Sequence, residues 1–197
     1  MLAPADIARA VTGIDAGIAP IRDALNAADR VLGDGDTGMT VAQVIAAWRA
    51  ASDALPADVG EALVLLGRET GRASGSSLGA VLATGLSAAG RSVRGKTVLD
   101  PADIAPMLAA AAQKITERSG ATAGAKTILD SLLRIERDAR AGPADYGVRA
   151  ATASAQAALD EFRDRATQIG RARMYGDKTR GHDDPGMLAA YLLLAVC

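Results

Sequence analysis

The chain has 197 residues, enough for one domain with a proper buried core. Hydrophobic residues make up 49% and charged residues 23%, with a formal net charge of −1, so the chain is neither disordered nor equipped with a basic stripe for nucleic acid. Cys197 and His182 are the sole residues of their kinds, which excludes a disulfide framework, a multi-thiolate zinc site and a poly-histidine metal site, and suits a reducing cytoplasm.

The opening MLAPADIARAV lacks the basic start and apolar run of a signal peptide, and helical spacing begins within it. Ile7, Val11, Ile14, Ile18, Ile21 and Leu25 recur every three or four residues, and Pro20 predicts a kink or break in that run. A second helix should follow Thr37, through Val41, Val44, Ile45 and Trp48. A third covers residues 59–66, and Leu78, Val81, Leu82 and Leu86 mark a fourth. Asp100 followed by Pro101 is a start signal for the pattern Ile104, Leu108, Ala111 and Ile115, although Pro106 falls inside it. Further helices are expected from about Lys126 and over residues 144 to about 165. The last follows DDPG, with Asp184 as N-cap and Pro185 at the first helical position. Its apolar run MLAAYLLLAVC is too short to span a bilayer. The count is about eight helices without a period-2 strand, which predicts an all-α single domain over residues 1–197.

Between the first two helical runs lies ADRVLGDGDTGMTV, where Asp29, Asp34 and Asp36 crowd into eight residues. Glycines let such a turn fold tightly enough for its carboxylates to converge, and converged carboxylates call for a hard cation such as Mg²⁺. The other reading is a solvated Asp-Gly turn that caps a helix. The start of the next helix, with free N–H groups, is a place for an anion. GRASGSSLG could form a second anion cradle, or could be an ordinary loop. GRSVRGKT, residues 90–97, matches the phosphate-binding pattern G-x-x-x-x-G-K-[ST], but a helical run precedes it and Pro101 soon follows, so it reads as a basic inter-helix loop. GRARMYGDKTRGHDDPG supplies Arg171, Arg173, Lys178 and Arg180, cations suited to phosphate oxygens, and His182 could hold its turn by hydrogen bonds.

Taken together, ADRVLGDGDTG, ASGSSLG, GAKTILD and RARMYGDKTRGHDDPG resemble, in order and spacing, the L subunit of dihydroxyacetone kinases, the nucleotide-binding part of those enzymes. That family's own segments read LDxxxGDGDxG, SG, GxKTMLD and RASYLGERSxGHxDPG. The resemblance implies a closed barrel of eight antiparallel helices with ADP or ATP bound at one end. It implies two Mg²⁺ ions held by Asp29, Asp34 and Asp36, and phosphates met by the backbone and hydroxyl groups of Thr37, Gly38, Met39 and Thr40. Ala73 and Ser74 match a second phosphate contact, and Gly120 and Ile128 match positions near the nucleotide. Arg171 matches a nucleotide-contacting arginine and is the cation assigned to catalysis, while Asp184, Pro185 and Gly186 match the end of the pocket. The chain departs from the family at Thr37, often His there, at Ala125, usually acidic, and at Lys178, usually Arg.

The implied function is phosphoryl transfer, in the cytoplasm, to dihydroxyacetone or a similar short ketose held by a separate K subunit. In one branch of that family a phosphotransferase-system protein recharges bound ADP; in the other ATP exchanges freely. A homodimer is compatible with the resemblance, and neither nucleic acid nor membrane is an expected partner. With so few aromatic residues, adenine should lie against aliphatic and Met side chains. The alternative from another class is a non-catalytic helical module that binds a partner protein through its Gly-rich end.

Overall fold

The first helical run parts at Gly17, not at Pro20. In the computed structural model α1 (Pro4–Ala16) ends there and α2 (Ile18–Leu32) begins one residue later. Pro20 lies in the first turn of α2, where a backbone N–H has no intrahelical partner, so its ring removes no hydrogen bond. The structure describes residues 1–197 except Pro143 and Asp145, and except the side chain of Arg171.

The chain continues through α3 (Thr37–Ala51), α4 (Val59–Ala73), α5 (Ser77–Ser92), α6 (Pro101–Ser119), α7 (Ile128–Ala141), α8 (Val148–Phe162) and α9 (Pro185–Ala195). Ser52–Ala54 and Arg171–Thr179 form 3-10 segments. Among the described residues β-pairing is confined to one bridge, between Leu2 and Leu99. The Asp100–Pro101 start signal holds: Asp100 and Asp103 form a capping box around the first turn of α6, and Pro106 does not end the helix. Helix α8 is shorter than expected, because Gly147 is extended and Arg163 is already its C-cap. Thus the N-terminal residues expected in it lie in the preceding connection, part of which is outside the described residues.

Each helix from α2 onward packs against the next, and α9 packs back on α2, so eight helices close a ring while α1 lies against α3. Short links make successive neighbours from α2 to α8 antiparallel, and residues 163–184 form a longer connection from α8 to α9. The apolar clusters follow the ring. Val59, Leu63, Ala89, Val93 and Met107 join α4, α5 and α6; Ile21, Leu25, Val41, Ile45 and Ala189 join α2, α3 and α9. Trp48 of α3 donates its indole N–H to the Leu66 carbonyl and the Thr70 hydroxyl of α4 at 3.2 and 2.8 Å, which fixes that pair's register. No helix among the described residues is long and apolar enough to cross a membrane.

This up-and-down order has one consequence for chemistry. The N-terminal ends of α3, α5, α7 and α9 all fall at the same end of the ring, beside the C-terminal ends of α2 and α6.

Candidate functional site

A cavity of about 510 Å³ opens at that end. Its floor is aliphatic, with Leu78, Val81, Ile115, Ile128, Leu129 and Ile169, and no methionine lines it among the described residues. Its rim is polar and acidic, with Asp29, Asp34, Asp36, Thr37, Thr40, Ser76 and Ser77. Four helix N-termini add partial positive charge around this volume, an environment suited to an anion.

The three aspartates do converge. Each offers a carboxylate oxygen, and these oxygens lie within 4.8 Å of one another. Asp29 is 9% exposed, near the end of α2, whereas Asp34 and Asp36 are exposed on the turn. One oxygen of Asp29 builds the turn: Oδ2 accepts the N–H groups of Asp36 and Thr37 at 2.9 and 3.1 Å. Gly35 takes a φ of +77°, which a glycine adopts freely, and Gly33 leaves room for the Asp29 carboxylate beside it. Asp36 holds the N-cap position of α3, yet its side chain makes no capping hydrogen bond. The capping-turn reading therefore does not account for Asp36, because Asp29 and Asn26 cap α3 from the neighbouring helix. Three convergent carboxylates repel one another, and this donor set, all oxygen, fits Mg²⁺.

The backbone N–H groups of the first turn of α3 are held within the chain by the same geometry. Gly38 and Met39 donate their N–H groups to Asn26 Oδ1 at 2.8 and 3.3 Å. Thr37 N–H is held by Asp29 and Thr40 N–H by the Asp36 carbonyl, at 3.0 Å. Thr37 and Thr40 still line the cavity and have hydroxyls to offer; Gly38 and Met39 do not line it. Gly38 instead lets α3 approach α2, since a Cβ there would collide with the Arg22 carbonyl. Met39 is exposed.

Within GRASGSSLG the residues at the cavity are Ser76 and Ser77, next to the Ala73 and Ser74 that the resemblance matches. Ala73 ends α4, and the Ser74 hydroxyl accepts the Ser76 N–H at 3.1 Å, so both serve the turn. Ser76 and Ser77 reach the cavity wall. Ser76 caps α5 by accepting the Gly79 N–H, which leaves the Ser77 and Leu78 N–H groups without intrahelical partners. Gly120 is the left-handed C-cap of α6, and its neighbours Ser119 and Ala121 line the cavity in its place. Ile128, Asp184, Pro185 and Gly186 line the cavity wall. The side chain of Arg171 lies outside the described residues; among those described, Arg118 is the cation on the wall.

Asp184 caps α9, accepting the Met187 N–H at 2.9 Å. Burial pushes its carboxyl up to about 6, against the pull of the Met187 and Gly186 N–H groups and of Lys126. His182 is exposed, and the turn before α9 is held instead by Arg163, whose guanidinium pairs with Asp183 at 2.9 Å. Sequence reasoning placed Ser76 in the second cradle but missed Asn26, Ser77 and Lys126. Asn26 carried a signal, since it stands three residues before Asp29 on one face of α2. The P-loop-like segment is a surface loop: Lys96 pairs with Asp103 at 2.5 Å, and no strand leads into it.

The DAK2 domain family matches residues 31–197. An L-erythrulose 1-kinase of Mycolicibacterium smegmatis is 31% identical over 175 residues, covering 84% of this chain and 30% of that protein. The dihydroxyacetone kinase of C. freundii in its native form superimposes with a TM-score of 0.78 at 22% identity, over 100% of this chain and 35% of that one. The same kinase in complex with AMP-PNP and Mg²⁺ gives 0.74 at 24% identity, over 98% and 33%. These structures bear out the helical ring, and the chain spans about a third of the length of the relatives it matches. Matched over most of its residues, with Asp34 and Asp36 inside the match, the chain belongs to the DAK2 domain family.

Proposed function

We propose that this chain is the nucleotide-binding part of a kinase for dihydroxyacetone or a similar short ketose. It would hold ADP or ATP with two Mg²⁺ ions, and the acceptor would sit on a separate K subunit. The observation that carries this reading is the convergence of Asp29, Asp34 and Asp36 at the rim of a cavity ringed by four helix N-termini. The relatives support it: one is an L-erythrulose 1-kinase, and the other was solved with AMP-PNP and Mg²⁺.

The residues divide the work. The aliphatic floor takes the base, and its hydrophobic walls exclude water from it. Hydroxyls of Thr37, Thr40, Ser76 and Ser77 and the N–H groups of Ser77 and Leu78 orient the phosphate tail toward the acidic turn. Asp29 Oδ1 and the Asp34 and Asp36 carboxylates would hold the ions, which when bound neutralise phosphate charge. Phosphoryl transfer requires little covalent help from a protein, so alignment and charge are what this site needs to supply. Arg171 is proposed as the cation that steadies the transferring group. The acceptor and its activating base are assigned to the K subunit, with a phosphotransferase-system protein as phosphoryl donor if ADP stays bound.

Calorimetric titration with ADP, with and without Mg²⁺, tests this reading on the wild type and on the Asp34→Ala/Asp36→Ala double variant. Mg²⁺-dependent binding by the wild type alone is expected. Undiminished binding by the variant would sink the reading.

A further inference from the structure

Lys126, in the connection between α6 and α7, is 1% exposed. It is also the only non-glycine residue with positive φ among those described, at 61°. Both features are costly: a left-handed backbone is unfavourable for a side chain with a Cβ, and a buried ammonium must be fully paired. The pairing is complete. Nζ donates to the carbonyls of Arg163, Arg165 and Thr179 at 2.9, 2.9 and 2.8 Å, three protons to three oxygens. The first two carbonyls close the C-terminal end of α8, and the third closes the Arg171–Thr179 segment. Burial pulls the lysine pKa down, and Asp184, Asp183 and Asp164 oppose that pull.

The three carbonyls belong to the strap between α8 and α9, which carries Ile169, Gly170 and Ala172 on the cavity wall and then leads to Asp184. Thr127 and Ile128, directly after Lys126, line the cavity as well. Two further links repeat the tie: Gln168 N–H donates to the Ala125 carbonyl at 3.1 Å and its side-chain amide to the Gly124 carbonyl at 3.2 Å, while within the strap Thr167 N–H donates to the Thr179 hydroxyl at 2.8 Å. A neutral side chain at 126 would take the Nζ donor from all three carbonyls, of which that of Arg163 keeps the Gly181 N–H at 2.9 Å.

We propose that Lys126 is a positioning residue for the nucleotide: its ammonium gathers the strap and the start of α9 against the start of α7, and so sets the width of the cavity. This rests on the nucleotide reading above. The aspartate turn lies on α2 and α3 and is not tied by Lys126, so loss of the ammonium should affect nucleotide and metal unequally.

The test uses the full chain with Lys126→Met and Lys126→Gly. The glycine variant accepts the positive φ and removes backbone strain as an explanation. Circular dichroism first identifies which variants fold. ADP affinity in Mg²⁺ should fall at least about tenfold in each folded variant. Mn²⁺ affinity without nucleotide, read by electron paramagnetic resonance, should stay at the wild-type value. Amides of Thr167 and Gly181 should exchange faster, while those of α3 should not. Lys126→Arg, which keeps the charge but not the fit of three protons to three carbonyls, should give the same pattern with a smaller loss and serves if neither of the other variants folds. Unchanged ADP affinity in a folded variant, or equal losses for Mn²⁺ and ADP, overturns the role of Lys126 alone. A wild type that fails to bind Mg²⁺–ADP overturns the nucleotide reading, and this inference with it.

Discussion

The Asp29 carboxylate, on α2, accepts the backbone N–H of Asp36 at 2.9 Å, so one member of the acidic cluster positions another. The two should therefore respond differently to truncation. Asp29→Ala strands two backbone donors and should destabilise the ligand-free protein by about 1–3 kcal/mol. Asp36→Ala removes an exposed carboxylate that caps nothing, and should leave ligand-free stability within about 0.5 kcal/mol. Both should abolish the rise in melting temperature produced by Mg²⁺ and ADP together. Thermal denaturation with and without ligands separates the two roles, and a ligand-induced rise retained by Asp36→Ala would remove that residue from the site.

How far the sequence discloses this site follows from the range of each interaction. Helices were legible because their apolar spacing is local, and Asp100–Pro101 and Asp184–Pro185 announced two starts by contacts within one turn. The convergence of Asp29, Asp34 and Asp36 was legible because eight residues and two glycines leave little other choice. What was hidden is long-range. Asn26 reaches the N–H groups of Gly38 and Met39 from another helix, and Lys126 reaches carbonyls 37, 39 and 53 residues away. No periodicity records such partners. The break at Gly17 was misplaced at Pro20 because proline ends helices only beyond their first turn, and sequence spacing does not fix where a turn begins.

Gly38→Ala probes the approach of α2 and α3. The added methyl would meet the Arg22 carbonyl and the Asn26 amide oxygen, neither of which can retreat without moving α2 or losing its bond to the α3 start. A loss of about 1–3 kcal/mol is expected in denaturant unfolding, as for an overpacked core. A melting curve identical to the wild type would mean that the two helices separate at no cost.

Lys96→Ala tests the P-loop resemblance. Lys96 pairs with Asp103 on the surface and does not line the cavity. Such exposed pairs contribute little, so ADP affinity should stay within about twofold of the wild type. Abolished nucleotide binding in this variant would transfer the phosphate site to the loop at residues 90–97.

Asp184 gives the molecule a pH dependence opposite in sign to that of Asp103 and Glu117. Burial raises its native pKa to about 6, above the ordinary aspartate value of about 3.9. Between these values the folded protein binds more protons at this site than the unfolded chain. Its contribution therefore becomes less favourable as pH rises from about 4 to about 6, by up to about 3 kcal/mol, and is level above that. Asp103 and Glu117 act the other way: hydrogen bonds from Lys96 and Lys114 hold their carboxyls low, and they lose stabilisation on acidification. A single pH profile mixes both signs, so the informative quantity is the difference between the wild type and Asp184→Asn, in which asparagine retains the N-cap of α9. With a chelator present and no nucleotide, the variant should gain in relative melting temperature from pH 4 to pH 7, with most of the change between about pH 4 and 6 and steepest near pH 5. Parallel profiles would show that Asp184 titrates as an ordinary solvated carboxyl and that the start of α9 is open to water.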